Sequence, residues 1–246
     1  MDLQNEFVYG PATSRRLGRS LGVNLAPPGR KACNFVCAYC PYGWADPPPR
    51  AEWPRPSAVI EAVDRALAAC GEIETITVAG NGEPTLHPAF AVIADALFRV
   101  RGMRAPGARL ALLTNGSTLG RADVRSSLRR FDVRYVKLDA GDVTTFRLMN
   151  GPSVGFGSLL ADIGYAGGVT LHSTFVRDAA GGVDNTAPAA LRAWAGAVRR
   201  IRPLAVDICT PRRVPIGSSL RTVPADVLEG IADLVRSMAI PVRVLA

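Results

Sequence analysis

Three thiols crowd into eight positions, Cys33-Asn34-Phe35-Val36-Cys37-Ala38-Tyr39-Cys40, spaced C-x3-C-x2-C. Thiolate is the soft donor that zinc and iron-sulfur sites take. A loop of this length can fold three thiolates around one face of a 4Fe-4S cubane, whose irons ordinarily take one cysteine each. Three local cysteines then leave one iron to a non-protein ligand. The competing arrangement is a zinc site made of the same thiolates with His87 or His172, because three cysteines and one histidine are a common structural set. Spacing favours the cluster, since zinc ribbons and knuckles pair their cysteines as C-x2-C or C-x4-C.

The remaining thiols, Cys70 and Cys209, stand far from this group and from each other, so five cysteines do not form a disulfide framework. They are too few to complete a second cluster, and free cysteines are often simply buried.

Elements must hold the loop in place. Apolar, β-branched segments alternate with stretches of helical periodicity, which marks a parallel α/β architecture. The pattern predicts strands over 21–25, 73–79, 109–113, 135–139, 171–176, 205–209 and 242–245. It predicts helices over 57–69, 89–101, 122–130, 154–166, 189–200 and 225–238, the first capped by Ser57 and stopped at Gly71. In such folds chemistry gathers at the carboxyl ends of strands. The cysteines follow the first expected strand, Asn81-Gly82-Glu83-Pro84 the second and Thr114-Asn115-Gly116 the third, while Asp139 ends the fourth.

The cysteine loop with an aromatic before its last thiol, together with Gly82-Glu83-Pro84, resembles the radical S-adenosylmethionine (SAM) superfamily. Residues 9–22, 80–85 and 173–176 are similar to the subgroup of iron-sulfur oxidoreductases related to the wyosine-base synthases that modify tRNA. The resemblance implies a partial (β/α)6 TIM-like barrel, one 4Fe-4S cluster on Cys33, Cys37 and Cys40, and SAM on the open iron. Reductive cleavage of SAM would then give a 5′-deoxyadenosyl radical that abstracts hydrogen from a substrate, a tRNA base among the candidates.

The same resemblance implies site roles. Gly82, Glu83 and Pro84 would lie against the SAM amino group, with Asn81 standing where the family has a first glycine. Tyr39 would contact adenine; Thr114, Asn115 and Asp139 would contact the methionine carboxylate and ribose, with Lys137 on the same strand face as Asp139. Lys31 has two readings, a Schiff-base lysine of the wyosine type or a cation placed beside an anionic cluster. An external flavodoxin- or ferredoxin-like electron donor is implied, since no such domain is fused. A turn without ligand is the alternative reading of Thr114-Asn115-Gly116.

At 246 residues and 48% hydrophobic, the chain suits one α/β domain over 1–246, with residues 1–20 an extension leading into the first strand. It shows neither a signal-like start nor an apolar run approaching the roughly 20 residues of a membrane span, so a cytoplasmic protein is expected. The formal charge of +8 suits an anionic partner, although 27 of the 29 basic residues are arginines scattered through an alanine-rich chain, which speaks for compositional bias. Arg15, Arg16 and Arg19 precede the first expected strand and Arg212 and Arg213 follow the sixth, where they could meet phosphate; Trp44 and Trp53 are candidate stacking surfaces for RNA bases. A non-catalytic zinc- or RNA-binding module is the alternative to an enzyme. His87 is expected to cap or pack a loop, and His172 to lie on an apolar strand.

Overall fold

The computed structural model describes residues 3–43, 52–215 and 217–245. The described residues divide into two compact units. The first is drawn from Met1–Asn34, Ala45–Thr114 and Thr118–Arg134, and the second from Phe35–Trp44, Asn115–Ser117 and Tyr135–Ala246. Trp44 and the Pro47-Pro48-Pro49 run lie outside the described residues.

In the first unit an antiparallel hairpin, β1 (Val8–Ser14) and β2 (Gly18–Val23), is followed by α1 (Pro56–Ala69), β3 (Thr75–Val78), α2 (Phe90–Arg104), β4 (Arg109–Thr114) and α3 (Ala122–Ser127). Strands β2, β3 and β4 run parallel in that order. Every residue of β3 is buried, as expected of a strand covered on both faces. The segment read from sequence as an extension therefore carries a strand. Its pairing with β2 is a cross-strand contact that a 7-residue polar and apolar mixture does not display.

The second unit carries β5 (Val133–Lys137, mostly within it), α4 (Val143–Asn150), α5 (Phe156–Ala166), β6 (Thr170–Thr174), β7 (Val176–Asp178), α6 (Pro188–Ile201), β8 (Ala205–Cys209), β9 (Leu220–Thr222), α7 (Ala225–Arg236) and β10 (Val242–Leu245). Strands β5, β6, β8 and β10 form a parallel run. The register sets Lys137 beside His172, His172 beside Asp207 and Asp207 beside Arg243, so one face carries a polar row. On that face Arg243 grips the buried Asp207 through two bonds of 2.9 Å and donates to the Tyr135 hydroxyl at 2.8 Å.

Three local expectations change. Ser57 is inside α1, whose N-cap is Arg55 with Pro56 in its first turn; the fixed φ of proline starts the helix one step earlier. The eight-residue helix α4 was not anticipated, although its cap is legible: Asp142 accepts from the Thr145 amide at 2.8 Å and the Thr145 hydroxyl at 2.7 Å. The short pair β7 and β9 was also missed, since three residues give no periodicity.

Packing in the second unit is close where α6 meets the end of β5. Trp194 is 1% exposed and its indole N–H donates to the Leu138 carbonyl and the Ser173 hydroxyl, both at 3.1 Å. A Cβ on Gly141 would lie 2.0 Å from the Ala193 carbonyl carbon, so only glycine lets this backbone reach the helix. We expect Gly141→Ala to destabilise the protein by about 3 kcal/mol in urea unfolding, the upper end for overpacking a core.

Candidate active site

In the first unit the loop after β3 is locked to the chain beside the first cysteine. The Ala32 amide donates to the Asn81 carbonyl and the Glu83 amide to the Ala32 carbonyl, both at 2.8 Å, forming an isolated parallel bridge between Ala32 and Gly82. Gly82 has φ +151°, and a Cβ there would sit 1.9 Å from the Ala32 oxygen. The glycine is dictated by this backbone approach.

Asn81, the departure from the family pattern, has a structural occupation. Its side chain accepts from the Gln4 amide at 2.7 Å and donates to the Gln4 carbonyl at 2.8 Å, as a β-strand neighbour would. Asn24 completes the knot by accepting from the Asn81 amide at 3.1 Å. A glycine at 81 could not hold the N-terminal segment this way.

Glu83 is 3% exposed. Its Oε1 accepts from the Thr85 amide at 3.0 Å, the Thr85 hydroxyl at 2.5 Å and the Thr114 hydroxyl at 2.6 Å. Thr85 is also bonded to Thr118. Pro84 opens the 3₁₀ turn Pro84–Leu86 that Glu83 caps. Glu83, Pro84 and Thr114, all singled out in the sequence, thus meet at the carboxyl ends of β3 and β4.

In the second unit the last two cysteines lie in consecutive turns, the Cys40 amide donating to the Cys37 carbonyl at 2.9 Å and the Gly43 amide to the Cys40 carbonyl at 3.2 Å. The Val36 and Ala38 amides donate to the Asn150 and Met149 carbonyls at 2.9 and 2.8 Å, which ties the loop to the end of α4. Asn150 Nδ2 donates to the Cys37 sulfur at 3.3 Å and to Asp139 Oδ2 at 2.8 Å. Burial pushes the Cys37 thiol up, against the Lys137 charge and the Asn150 bond, which pull it down.

Asp139 is the centre of this arrangement. Its side chain is fully buried; Oδ2 accepts from the Tyr39 hydroxyl at 2.6 Å and lies 3.3 Å from Lys137 Nζ, while Oδ1 accepts from the Thr174 amide at 2.8 Å. The Asp139 carbonyl accepts from Asn185 Nδ2 at 2.9 Å. Lys137 also donates to the Tyr39 hydroxyl and lies 4.9 Å from its ring centre. Desolvation pulls the Lys137 pKa down, but the Asp139, Cys37 and Cys209 charges and the Asp139 bond together outweigh it and hold the ammonium above its usual range. Burial and the neighbouring carboxylate push the Tyr39 phenol well up, so it stays neutral.

Asn115 accepts from the Ser117 amide at 2.9 Å, the turn chemistry that the alternative reading anticipated, and Gly116 at φ +80° finishes the turn. His87 is also structural, as expected. Its Nε2 bonds the Pro54 carbonyl at 2.9 Å and its Nδ1 accepts from the Ala89 amide at 3.0 Å, which assigns the Nε2–H tautomer; burial holds its pKa below 6.5. Trp53 packs edge-on against that ring, 5.3 Å away. Lys31 is buried at 4% exposure. His172 and Cys209 meet in the second unit, Nε2 to sulfur 3.7 Å. Asn150 and Asn185 were not singled out from sequence; Asn150 lies on the unanticipated α4.

The residues fit an iron-sulfur group. All five cysteines are thiols of intermediate burial. Among the described residues no three His, Cys, Asp or Glu side chains converge on a single-ion position. A cubane would take Cys33, Cys37 and Cys40 one to an iron.

The radical SAM superfamily model matches residues 30–155, which span the cysteine loop, the Gly82-Glu83-Pro84 turn and Asp139. The chain belongs to the radical SAM superfamily. Curated relatives include a UPF0026 protein of Helicobacter pylori, 35% identical over 148 residues that cover 59% of this chain and 46% of the relative, and a UPF0026 protein of Methanocaldococcus jannaschii, 32% identical over 59% of this chain and 44% of the relative. The chain spans about half the length of these relatives. Among solved structures, a radical SAM methyltransferase from Sphaerobacter thermophilus aligns over 92% of this chain and 65% of its own with TM-score 0.67 and 16% identity. SuiB of Streptococcus suis bound to S-adenosylmethionine aligns over 92% and 50% with TM-score 0.67 and 10% identity, and archaeal TYW1 over 89% and 72% with TM-score 0.58 and 14% identity. The fold is therefore the partial TIM-like α/β barrel of the radical SAM type. Among the described residues no helix is long and apolar enough to cross a membrane.

Two outcomes follow from the buried groups. Asp139→Ala leaves Lys137, Tyr39 and Asn150 without their common partner, and we expect a loss of about 3 kcal/mol or more in urea unfolding, as for a buried ion pair missing one member. His87 is neutral in the fold because its pKa is lowered, so its contribution is complete above pH 6.5 and is lost as pH falls through the lowered folded value. Thermal unfolding of wild type should show that acid-side loss, and His87→Asn should show less of it.

Proposed function

We propose that this radical SAM enzyme holds one 4Fe-4S cluster on Cys33, Cys37 and Cys40 and binds SAM beside it, with 1–246 acting as one catalytic domain. The observation that carries the reading is the C-x3-C-x2-C loop within the matched span, whose Cys37 sulfur takes the Asn150 N–H. Held by Cys33, Cys37 and Cys40, such a cluster would supply the one-electron chemistry for reductive cleavage of SAM and hydrogen abstraction from a substrate. A fold neighbour holding S-adenosylmethionine and alignment over 92% of the chain support this.

The protein's own part is to bind, orient and exclude water. Gly82 brings backbone to the loop without a side chain, and Glu83 offers a carboxylate to the SAM amino group while Thr85 and Thr114 fix its orientation. Thr114 and Asn115 close the methionine end. Asp139 acts by positioning: it holds Tyr39 for adenine and Asn150 against Cys37, with its oxygens engaged by protein donors. Lys137 neutralises Asp139 and brings positive charge towards an anionic cluster. The reductant is a separate flavodoxin- or ferredoxin-like protein. The resemblance to the wyosine-base synthases keeps a tRNA base among the candidate substrates, beside a small molecule or a protein glycyl residue, and the reaction takes place in the cytoplasm.

Anaerobically reconstituted protein given dithionite and SAM should release 5′-deoxyadenosine and methionine, read by chromatography. Cys37→Ala should bring the rate to background. Undiminished cleavage by that variant would remove Cys37 from the ligand set.

A further inference from the structure

Strands β7 and β9 follow the carboxyl ends of β6 and β8 and pair antiparallel, with Arg177 directly opposite Arg221. Directly opposed residues share one face, and like charges there repel. Among the described residues neither guanidinium pairs directly with a carboxylate. Arg177 Nε donates to the Thr186 hydroxyl at 2.8 Å, and Arg221 Nη1 donates to the Ser219 and Leu220 carbonyls at 3.3 and 2.9 Å. Of the nearby acids, Asp178 accepts from the Ala180 amide, and Asp184, which accepts from the Thr186 amide and hydroxyl, meets Arg177 only through that hydroxyl. Arg212 and Arg213, on the connection from β8 to β9, are exposed.

The other face of the pair is anchored. Val176 and Leu220 belong to a buried cluster with Met149 and Val183, against which Tyr39 and Val214 pack. A repulsive arginine pair is thus held rigidly on a support that touches the cluster loop, and folding alone offers no reason for it.

We propose that Arg177 and Arg221 bind a phosphate group of the substrate, assisted by Arg212 and Arg213; this rests on the reading of the chain as a substrate-modifying radical SAM enzyme. Guanidinium groups take phosphate through paired, charge-assisted bonds, and a bridging anion turns their repulsion into attraction. An RNA backbone and a small phosphorylated molecule share this chemistry.

The test uses cluster-loaded protein and fluorescence anisotropy with a labelled RNA stem-loop, competed by a nucleoside 5′-monophosphate. Arg221→Glu should weaken RNA binding at least about tenfold and make the slope of log affinity against log salt shallower by about 1. It should also raise or preserve the melting temperature, because a cross-strand Arg–Glu pair replaces a repulsive one. Arg221→Ser, read the same way, serves if the glutamate variant misfolds, and Arg221→Lys should recover part of the binding. Binding of the monophosphate alone, lost in the same variants, would support the site and identify a small substrate. Unchanged binding of both probes in both variants, or no binding of either by wild type, would overturn it. SAM cleavage without substrate should be the same in all variants, so failure here is distinct from failure of the radical SAM chemistry.

Discussion

A carboxylate without exposed surface must have its charge answered inside the protein, and the second unit is organised around that demand at Asp139. Tyr39, Asn150, the Thr174 amide and Lys137 converge on its two oxygens. Two of these partners reach the cysteine loop, since Tyr39 lies on it and Asn150 bonds the Cys37 sulfur. The same group that satisfies a buried charge therefore fixes where the Cys37 sulfur points. Such networks specify one arrangement because a half-satisfied version is costly.

The first unit solves a parallel problem by different means. Glu83 is buried and steadied by Thr85 and Thr114, but its placement comes from backbone, through the Ala32–Gly82 bridge that no larger residue at 82 would allow. Asn81 explains how a departure from a glycine-glycine pattern is accommodated: its side chain replaces a strand edge for Gln4, so the N-terminal segment is held by the same loop that presents Glu83. In both units a strand end, a buried carboxylate and a short polar relay do the positioning, which is where parallel α/β folds place their chemistry.

Much of this was legible in the sequence. Long periodic segments such as α6 and α7 and the apolar strands β3, β4 and β8 emit their own signals, and the motif residues at their ends fell where expected. The hairpin β1–β2 depends on pairing between segments, and β7 and β9 are three residues each, too short to show a period. For Asp139 the sequence supplied the position, and the side-chain contacts add its protein partners Tyr39, Asn150 and Thr174. Asn150 carries no motif at all, since its importance comes from α4 delivering it to Cys37.

The central claim is that the three cysteines hold a cluster with an iron open to SAM. Electron paramagnetic resonance of anaerobically reconstituted, dithionite-reduced protein, recorded with and without SAM, tests it most directly. The account predicts a reduced 4Fe-4S signal that changes on adding SAM. No cluster signal, or one indifferent to SAM, would contradict it.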